Sequence, residues 1–466
     1  MKEKRIMLKL LSILCLLSLL AACAPAATQA PAPDVEEPAA TEPAATEPAA
    51  TEAAATEPAA GESVTLTWLI DDSQQSQDGH KALADAYMAL HPNVTIEFEN
   101  RPQGGDGDNI VKTRLATGEM TDLFSYNSGS LLQALHPTDT LVDLTNEPFI
   151  ANIVESFLPT VSQNGQIFGV PNGTAMGGGI LYNKKVYEDL GLSVPKTWAE
   201  FEANNEAIKA AGITPVIASY GPNSTWTSQL FVLADYCNVQ NAMPNFAEDY
   251  TANKIKMAET PAALAGFNYL AEGNEQGWYQ DDFTTATFDQ ALQLLAEGKG
   301  AHYPMLSFAL APIAANWPDA VQDIGYFGQP GTDASKHCTT LWMPGGTYIP
   351  KTTENVEAAK DVLAFIASVE GTDAMTAKVP PQGPYMIKGS TLPADALPAV
   401  LDIQSYIEGG TSIPALEFLS PIKGPALEQI TVAVGSGQMT PEEGAANYDE
   451  DVKKQAQQLG LPEWIE

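Results

Sequence analysis

The sequence predicts an α/β fold in two lobes, with mixed sheets flanked by helices. Apolar, β-branched runs alternate along the chain with segments of helical periodicity, which is the pattern of strands that pack helices on both faces of a sheet. The roughly 400 residues from Ser63 onward are too many for one small core. We therefore expect two lobes, each built on its own sheet.

The first unit of the fold is predicted by residues 64–98. Val64 to Ile70 is rich in β-branched and apolar residues, as expected for a strand. Leu83, Tyr87 and Leu90 then recur at helical spacing, and Val94 to Phe98 has the composition of a second strand. The order strand, helix, strand favours a parallel pairing of the two strands.

The same alternation continues along the chain. Ile110 to Thr117 has helical periodicity and Thr121 to Phe124 predicts a short strand. A helix that opens at Thr197 is followed by a predicted strand at Val216 to Ala218. A later helix is indicated by an apolar stripe formed by Val356, Ala359, Leu363 and Ile366.

The N-terminus has the order of an export signal. Basic residues among the first five precede an apolar run, Ile6 to Leu20, that is too short to span a bilayer comfortably. The run ends on Leu20-Ala21-Ala22-Cys23, which resembles the lipobox of bacterial lipoproteins. The resemblance implies a signal peptide at 1–22, acylation of Cys23 and an envelope protein held outside the cytoplasm by its lipid. The alternative is an ordinary secreted protein in which Cys23 falls there by chance.

Residues 23–62 are predicted to form a disordered, acidic tether. The segment repeats Thr-Glu-Pro-Ala-Ala and contains no aromatic side chain, so it has too little apolar surface to fold. Such a tether suits a domain that must reach a partner on the membrane that anchors it.

Charge and cysteine usage narrow the class of partner. The formal net charge of −35 disfavours phosphate backbones and anionic lipid, so we expect no nucleic acid and no membrane contact beyond the lipid. Cys15 leaves with the leader, and Cys23 is expected to be acylated. Cys237 and Cys338 remain, either as a disulfide in an oxidising compartment or as two buried thiols.

A search for catalytic motifs favours a binding protein over an enzyme. The sequence has no Gly-x-Ser-x-Gly elbow, no His-Glu-x-x-His helix and no phosphate-cradling glycine loop, and its five histidines are dispersed. We therefore expect no metal and no cofactor. Paired carboxylates remain open because 58 acidic residues offer many pairs, so a secreted carbohydrate hydrolase is the main alternative and an adhesin or scaffold a third.

The segment from Asn164 to Ser219 carries a family resemblance. It closely resembles the extracellular solute-binding proteins of carbohydrate-type ABC importers, family 1, to which maltose-binding proteins are related. The resemblance is carried in order by Asn164 to Pro171, Ile180 to Lys184, Leu190 to Leu192, Pro195 to Phe201 and Ala211 to Pro215. This chain departs from the family pattern at Gly300 to Phe308, which puts in doubt an aromatic platform usually supplied there.

The residues of that segment are chiefly architectural. Thr197 and Glu200 have the spacing of a capping box at a helix start. Asn164-Gly165 suits a tight hairpin turn that leads into a strand at Gln166 to Val170.

The resemblance implies a type II periplasmic-binding-protein-like fold, a monomer that closes on its ligand and serves ABC permease subunits. The hinge has several segments, expected near Gly173 to Gly179, Gly345 to Pro350 and Val379 to Gln382, where glycine and proline supply unusual dihedrals. The first lobe is predicted to comprise 63–175 plus about 346–390, and the second about 176–345 plus about 391–466.

The ligand site is expected in loops beyond the carboxyl ends of strands. A sugar needs planar carboxylates and amides for its hydroxyls and aromatic faces for its C–H patches. By that rule the first-lobe candidates are Asp71, Asp72, Gln74, Tyr126, Asn127 and Asn172. Asp72 could instead cap the first helix or face solvent.

The aromatic candidates lie in the second lobe and near the hinge. Trp226 follows a polar loop, and Trp342 precedes a hinge segment that contains Gly345. Tyr385 lies near the last crossing. Each tryptophan has a core alternative, which is favoured for Trp278 and Trp317. Because the body of the protein is acidic, the expected ligand is a small neutral molecule, a mono- or oligosaccharide. A cationic or polyol ligand is the second choice.

Overall fold

The structure, a computed structural model, describes residues 63–465. The predicted signal peptide, Cys23 and the acidic segment 23–62 lie outside the described residues. No helix within residues 63–465 combines the length and the hydropathy needed to cross a bilayer.

Strands and helices are interspersed along the described chain. The strands are β1 (Val64–Asp71), β2 (Val94–Arg101), β3 (Leu123–Tyr126), β4 (Ser162–Gln163), β5 (Gln166–Ile167), β6 (Gly169–Pro171), β7 (Met176–Asn183), β8 (Thr214–Val216), β9 (Gly300–Leu306), β10 (Ile324–Gly328), β11 (Thr339–Trp342), β12 (Gly346–Tyr348) and β13 (Ser412–Pro414). The helices are α1 (Gln74–Leu90), α2 (Gly104–Thr117), α3 (Ser130–Gln133), α4 (Pro137–Thr140), α5 (Lys184–Leu190), α6 (Trp198–Ala210), α7 (Leu230–Leu233), α8 (Tyr236–Ala242), α9 (Phe246–Thr251), α10 (Pro261–Glu275), α11 (Phe288–Ala296), α12 (Leu310–Asn316), α13 (Val356–Ile366), α14 (Val369–Thr376), α15 (Pro398–Glu408), α16 (Leu416–Leu419), α17 (Leu427–Gly435) and α18 (Pro441–Gln458).

The first lobe is built on a five-stranded sheet in the order β2-β1-β3-β12-β6. β1 pairs in parallel with β2 and β3, as the strand–helix–strand pattern predicts, whereas β12 is antiparallel to β3 and β6. Trp68, Phe124 and Tyr348 are fully buried in the core of this lobe. The sheet is therefore mixed, because a strand from late in the chain completes it.

The second lobe is built on a larger sheet in the order β13-β11-β7-β9-β8, with β10 also paired to β7. The glycine run Gly177 to Gly179, which belongs to the expected hinge segment Gly173 to Gly179, lies inside β7. A Cβ atom on Gly178 would fall 2.1 Å from the ring of Trp342. These glycines therefore make room for side chains of neighbouring strands, and the hinge assignment is wrong for them.

Two local predictions from the sequence are confirmed. The Thr197 side chain accepts from the amide of Glu200, and the Glu200 carboxylate accepts from the Thr197 amide, which completes the capping box at the start of α6. Asn164 and Gly165 both have positive φ, at 53° and 80°, and join β4 to β5 as a tight hairpin.

The chain passes between the two sheets more than once. It leaves the first sheet at Pro171 and enters the second at Met176, then returns between β11 and β12. A third passage lies beyond Ile387, which still pairs with Ile153 of the first lobe. That is later than the expected Val379 to Gln382.

A disulfide lies within the second lobe. The structure joins Cys237 in α8 to Cys338, next to β11, with their Cα atoms 6.1 Å apart. The redox state of this pair in the exported protein stays a prediction.

Candidate functional site

A cavity of about 570 Å³ lies between the lobes. Most of its lining comes from the first lobe and from the passages between the sheets, and Met176 and Phe308 contribute from the second lobe. The polar side chains that line it are Asp71, Ser73, Gln75, Ser76, His80, Arg101, Gln103, Asp108, Asn127, Asn172, Thr174, Thr376, Gln382 and Tyr385. Many of them follow the carboxyl ends of β1, β2, β3 and β6, where open α/β sheets bind ligands.

The turn from β1 into α1 forms one wall of the cleft. The Asp71 carboxylate accepts from the amide of Ser73 at 3.0 Å, and the Ser73 hydroxyl accepts from the amide of Ser76 at 3.2 Å. The second bond caps α1. These contacts hold Asp71, Ser73 and Ser76 at the cavity in a defined orientation.

His80 lies on the buried face of α1 and also reaches the cavity. Burial lowers the pKa of its imidazole, although the Ser76 carbonyl, 2.7 Å from Nδ1, and Asp71 act in the opposite direction. The ring is therefore neutral near pH 7, and it serves as a fixed polar group of the cleft floor.

Arg101 ends β2 and is 6% exposed. Its guanidinium carbon lies 5.5 Å from the centre of the Tyr126 ring, a cation–π arrangement. Burial raises the pKa of the Tyr126 hydroxyl, and the nearby Asp108 carboxylate raises it further. A charged arginine and a neutral tyrosine therefore lie side by side under the cleft.

The passages between the sheets form the base of the cleft. The backbone N–H of Asn172 donates to the backbone carbonyl of Gly345 at 3.1 Å. A Cβ atom on Gly345 would fall 2.7 Å from the carbonyl oxygen of Tyr126, so only glycine permits this close approach. Tyr385 and Thr376 share a hydroxyl–hydroxyl hydrogen bond at 2.9 Å.

The second lobe contributes one aromatic face. Phe308 follows β9 in a short 3₁₀ turn and lines the cavity. The ring centres of Trp226 and Phe288 each lie 5.8 Å from that of Phe308. Trp226 thus supports Phe308 from behind, and the aromatic surface that sequence analysis placed in doubt at Gly300 to Phe308 is present at the end of that segment.

Five of the predicted site residues line the cavity: Asp71, Asn127, Asn172, Gly345 and Tyr385. Phe308 was missed, although the rule that ligands bind beyond strand ends would have found it once β9 was recognised. Ser73 and Gln75 were also missed, because α1 begins directly after β1, with Ser73 as its N-cap, and this helix start sets which side chains reach the cleft.

Asp72 and Gln74 are exposed and lie outside the lining. The Asp72 carboxylate accepts from Gln103 at 3.3 Å, and Gln74 donates to Asp78 at 2.9 Å. Both side chains therefore form hydrogen bonds to other protein side chains next to the cleft. Their role in ligand binding stays a prediction.

The remaining aromatic candidates lie behind the cavity wall. Tyr126 and Trp342 are buried, the first under Arg101 and the second against Gly178. Trp226 is partly buried behind Phe308. Trp278, favoured as a core residue, is buried and donates to Glu206 at 2.9 Å.

Within residues 63–465, no group of three or more His, Cys, Asp or Glu side chains is arranged to hold a metal ion. What the described cleft offers is a set of fixed hydrogen-bonding groups facing an aromatic ring. That arrangement can hold a polar molecule with an apolar face.

Comparison with known proteins agrees with this geometry. Residues 72–373 match the sequence profile of the family described as bacterial extracellular solute-binding protein. The chain is 23% identical over 316 residues to the multiple sugar-binding protein of Streptococcus mutans, covering 66% of this chain and 72% of that protein. It is 23% identical over 307 residues to the melibiose/raffinose/stachyose-binding protein MelE of Bacillus subtilis, covering 63% and 68%.

Solved structures share the fold. A chitin oligosaccharide binding protein superposes with a TM-score of 0.72 at 23% identity, covering 85% of this chain and 100% of that one. The solute-binding protein RafE in complex with raffinose superposes with a TM-score of 0.70 at 20% identity, also covering 85% and 100%.

The family match covers more than half of the chain, and the two-lobed mixed α/β architecture agrees with it. The chain is thus a binding protein that works outside the cytoplasm, and it is not an enzyme. It belongs to the bacterial extracellular solute-binding proteins.

Proposed function

We propose that this protein captures a mono- or oligosaccharide between its two lobes and delivers it to the membrane permease of an ABC importer. The observation that carries the proposal is the composition of the cleft. Carboxylates and amides from the first lobe, among them Asp71, Asn127 and Asn172, face Phe308 of the second lobe. Sugars present hydroxyls on their edge and C–H groups on their face, and this cleft offers partners for both.

The names of the relatives support a sugar as ligand. One is a multiple sugar-binding protein, another binds melibiose, raffinose and stachyose, and one solved structure contains raffinose. At 20 to 23% identity, these relatives support a saccharide as the class of ligand.

Closure of the two lobes is the proposed signal to the permease. We propose the lobe boundaries given above, 63–175 plus about 346–390 and about 176–345 plus about 391–466. The hydrophobic clusters support them, since Ala175 and Ile387 pack in the cluster of the first lobe, and Ile180 and Ala399 pack in two separate clusters of the second. A ligand that contacts both lobes stabilises the closed form.

We further propose that the protein acts as a monomer held to the membrane by acylated Cys23. The leader, the lipobox-like Leu20-Ala21-Ala22-Cys23 and the acidic segment support this. In an expressing bacterium fed labelled palmitate, the wild-type chain should carry the label and the Cys23→Ala variant should not. A wild-type chain without label would exclude the lipid anchor.

The binding function is tested with the full chain in detergent against a panel of saccharides. Thermal-shift measurement should find at least one sugar that raises the melting temperature, because a ligand that binds only the native state stabilises it. Chromatography after incubation should recover that sugar unchanged. Cleavage of the sugar would favour the hydrolase alternative, and no response across the panel would favour an adhesin or scaffold.

A further inference from the structure

We propose that the saccharide captured by this cleft carries a carboxylate, as a uronic acid unit does, and that Arg101 receives it together with the first turn of α2. This inference rests on the proposed saccharide-binding function and adds the charge of the substrate. It departs from the neutral ligand expected from net charge alone.

Arg101 is a buried cation that lacks an anionic partner. Its Nη1 donates to the carbonyl of Pro102 at 3.2 Å and its Nη2 to the carbonyl of Ser125 at 3.5 Å, while Nε has no acceptor. None of the ion pairs formed by residues 63–465 includes Arg101. A buried charge without a counter-ion is unfavourable, and a ligand carboxylate at the cavity would supply one.

The start of α2 adds a second set of donors beside Arg101. Gln103 at the N-cap makes no side-chain cap, and a Cβ atom on Gly104 or Gly105 would meet no atom within 4 Å. The space beside the first two residues of this 14-residue helix is therefore open, and no N-cap side chain bonds its first N–H groups. Gln103 and Gly104 line the same cavity as Arg101, so the partial positive charge of the helix end and the guanidinium act on one volume.

The carboxylates nearby limit the charge that the cleft accepts. Asp71 and Asp108 also line the cavity, and Asp106 lies in the first turn of α2. Arg101 and the uncapped end of α2 can together stabilise one negative charge on the ligand in the presence of these carboxylates. A doubly charged phosphate would be repelled more strongly by them. A planar carboxylate also matches the fork of a guanidinium.

The net charge of the whole chain does not oppose this assignment. Charges across the surface are screened over about 8 to 10 Å at physiological ionic strength, while a cleft arginine acts at contact distance. The overall acidity slows the approach of an anion more than it weakens the bound complex.

The test is a calorimetric titration of the full chain in detergent with a panel of uronic acid disaccharides, their methyl esters and the neutral disaccharides of the same linkage. The methyl ester keeps the shape and removes the charge. At least one acid should bind about tenfold or more tightly than its own ester, as expected for charge-assisted hydrogen bonds. This comparison uses the wild-type chain, so it does not depend on the folding of any variant.

Three variants test whether Arg101 and the start of α2 cause the difference in affinity between acid and ester. Arg101→Gln should abolish the difference between acid and ester, while the matched control Arg114→Gln, on α2 but paired with Glu99, should preserve it. Gln103→Asp places a carboxylate cap on the α2 amides and should weaken the acid more than the ester.

Esters or neutral disaccharides that bind as tightly as the acids would overturn the inference and leave the proposed function standing. A sugar phosphate that binds more tightly than every uronide would overturn the choice of carboxylate. No binding of any saccharide would remove the inference together with the proposed function.

Discussion

The Nε2 atom of His80 lies 2.8 Å from the Oγ atom of Ser125, and this contact joins α1 to β3 beneath the cleft. The indole Nε1 of Trp68 donates to the same Oγ at 3.0 Å. An indole N–H can only donate, so the serine hydroxyl accepts from Trp68. The Ser76 carbonyl can only accept, and it lies 2.7 Å from Nδ1 of His80, so the proton of the neutral imidazole is on Nδ1. Nε2 is therefore an acceptor, and the Ser125 hydroxyl donates to it.

Ser125→Ala should destabilise the protein by about 1 to 3 kcal/mol, because it leaves the Trp68 indole N–H and His80 Nε2 buried without a partner. Urea unfolding followed by circular dichroism measures the change. Ser405→Ala is the matched control, since its exposed hydroxyl donates only to a nearby carbonyl, and it should change stability by less than about 0.5 kcal/mol. Equal effects of the two substitutions would contradict the buried hydrogen-bond chain.

Asp235 should make stability depend on pH between about 4 and 7. Burial raises the pKa of its carboxyl from 3.8 to about 7, and the hydrogen bond from Asn238 offsets only part of that rise. Because the folded pKa lies above the ordinary value, the native state holds the proton more tightly than the unfolded chain. The stabilisation is fully present below about pH 4 and is lost as pH rises towards 7.

Asp235→Asn should remove this dependence. The stability of the variant relative to wild type should grow by about 1 to 3 kcal/mol from about pH 4 to pH 8, measured by denaturant unfolding at each pH. The Asp281→Asn substitution, which replaces an exposed carboxylate, serves as the control. A flat difference for Asp235→Asn would show that its carboxyl ionises normally in the folded protein.

The pair Cys237–Cys338 should be oxidised in exported protein and should stabilise it. Peptide mass spectrometry after alkylation without reductant should find the two cysteines linked. Replacing both by serine should lower the free energy of unfolding by about 2 to 4 kcal/mol, since the bond closes a loop with a sequence separation of 101. Full alkylation of both thiols before reduction would contradict the bond.

Phe308→Ala should weaken the binding of whichever saccharide the panel identifies. Loss of an aromatic face is expected to raise the dissociation constant by about tenfold, measured by calorimetry. Phe283→Ala is the matched control, because Phe283 packs against Tyr220 and Tyr279 in the same lobe, away from the cavity lining. Equal losses for both variants would indicate a general effect on the lobe and remove Phe308 from the proposed site.

Much of the first lobe could be predicted because its signals are local. The periodicities of Val64 to Ile70 and of Leu83, Tyr87 and Leu90 match β1 and α1. The caps of α6 and the Asn164-Gly165 turn were predicted because each depends on side chains only a few residues apart.

The site was harder to predict because the start of a helix, and not the end of a strand alone, sets which side chains after β1 face the cleft. Asp71 was predicted and lines the cavity, but Ser73 and Gln75 line it where Asp72 and Gln74 were expected. In the second lobe, Trp226 had the right composition for a binding platform, yet it lies behind Phe308. Sequence composition identifies an aromatic residue but not which of two packed rings lines the cleft.

The sequence by itself determined the family, the alternation of strands and helices, and the strand-end loops in which to search for a site. These follow from patterns among neighbouring residues, which keep their meaning wherever the segment lies. Only the tertiary structure decided which side chains meet at the cleft. The backbone N–H of Asn172 bonds to the carbonyl of Gly345, and the guanidinium of Arg101 lies against the Tyr126 ring. These contacts join distant parts of the chain, and no local pattern encodes them.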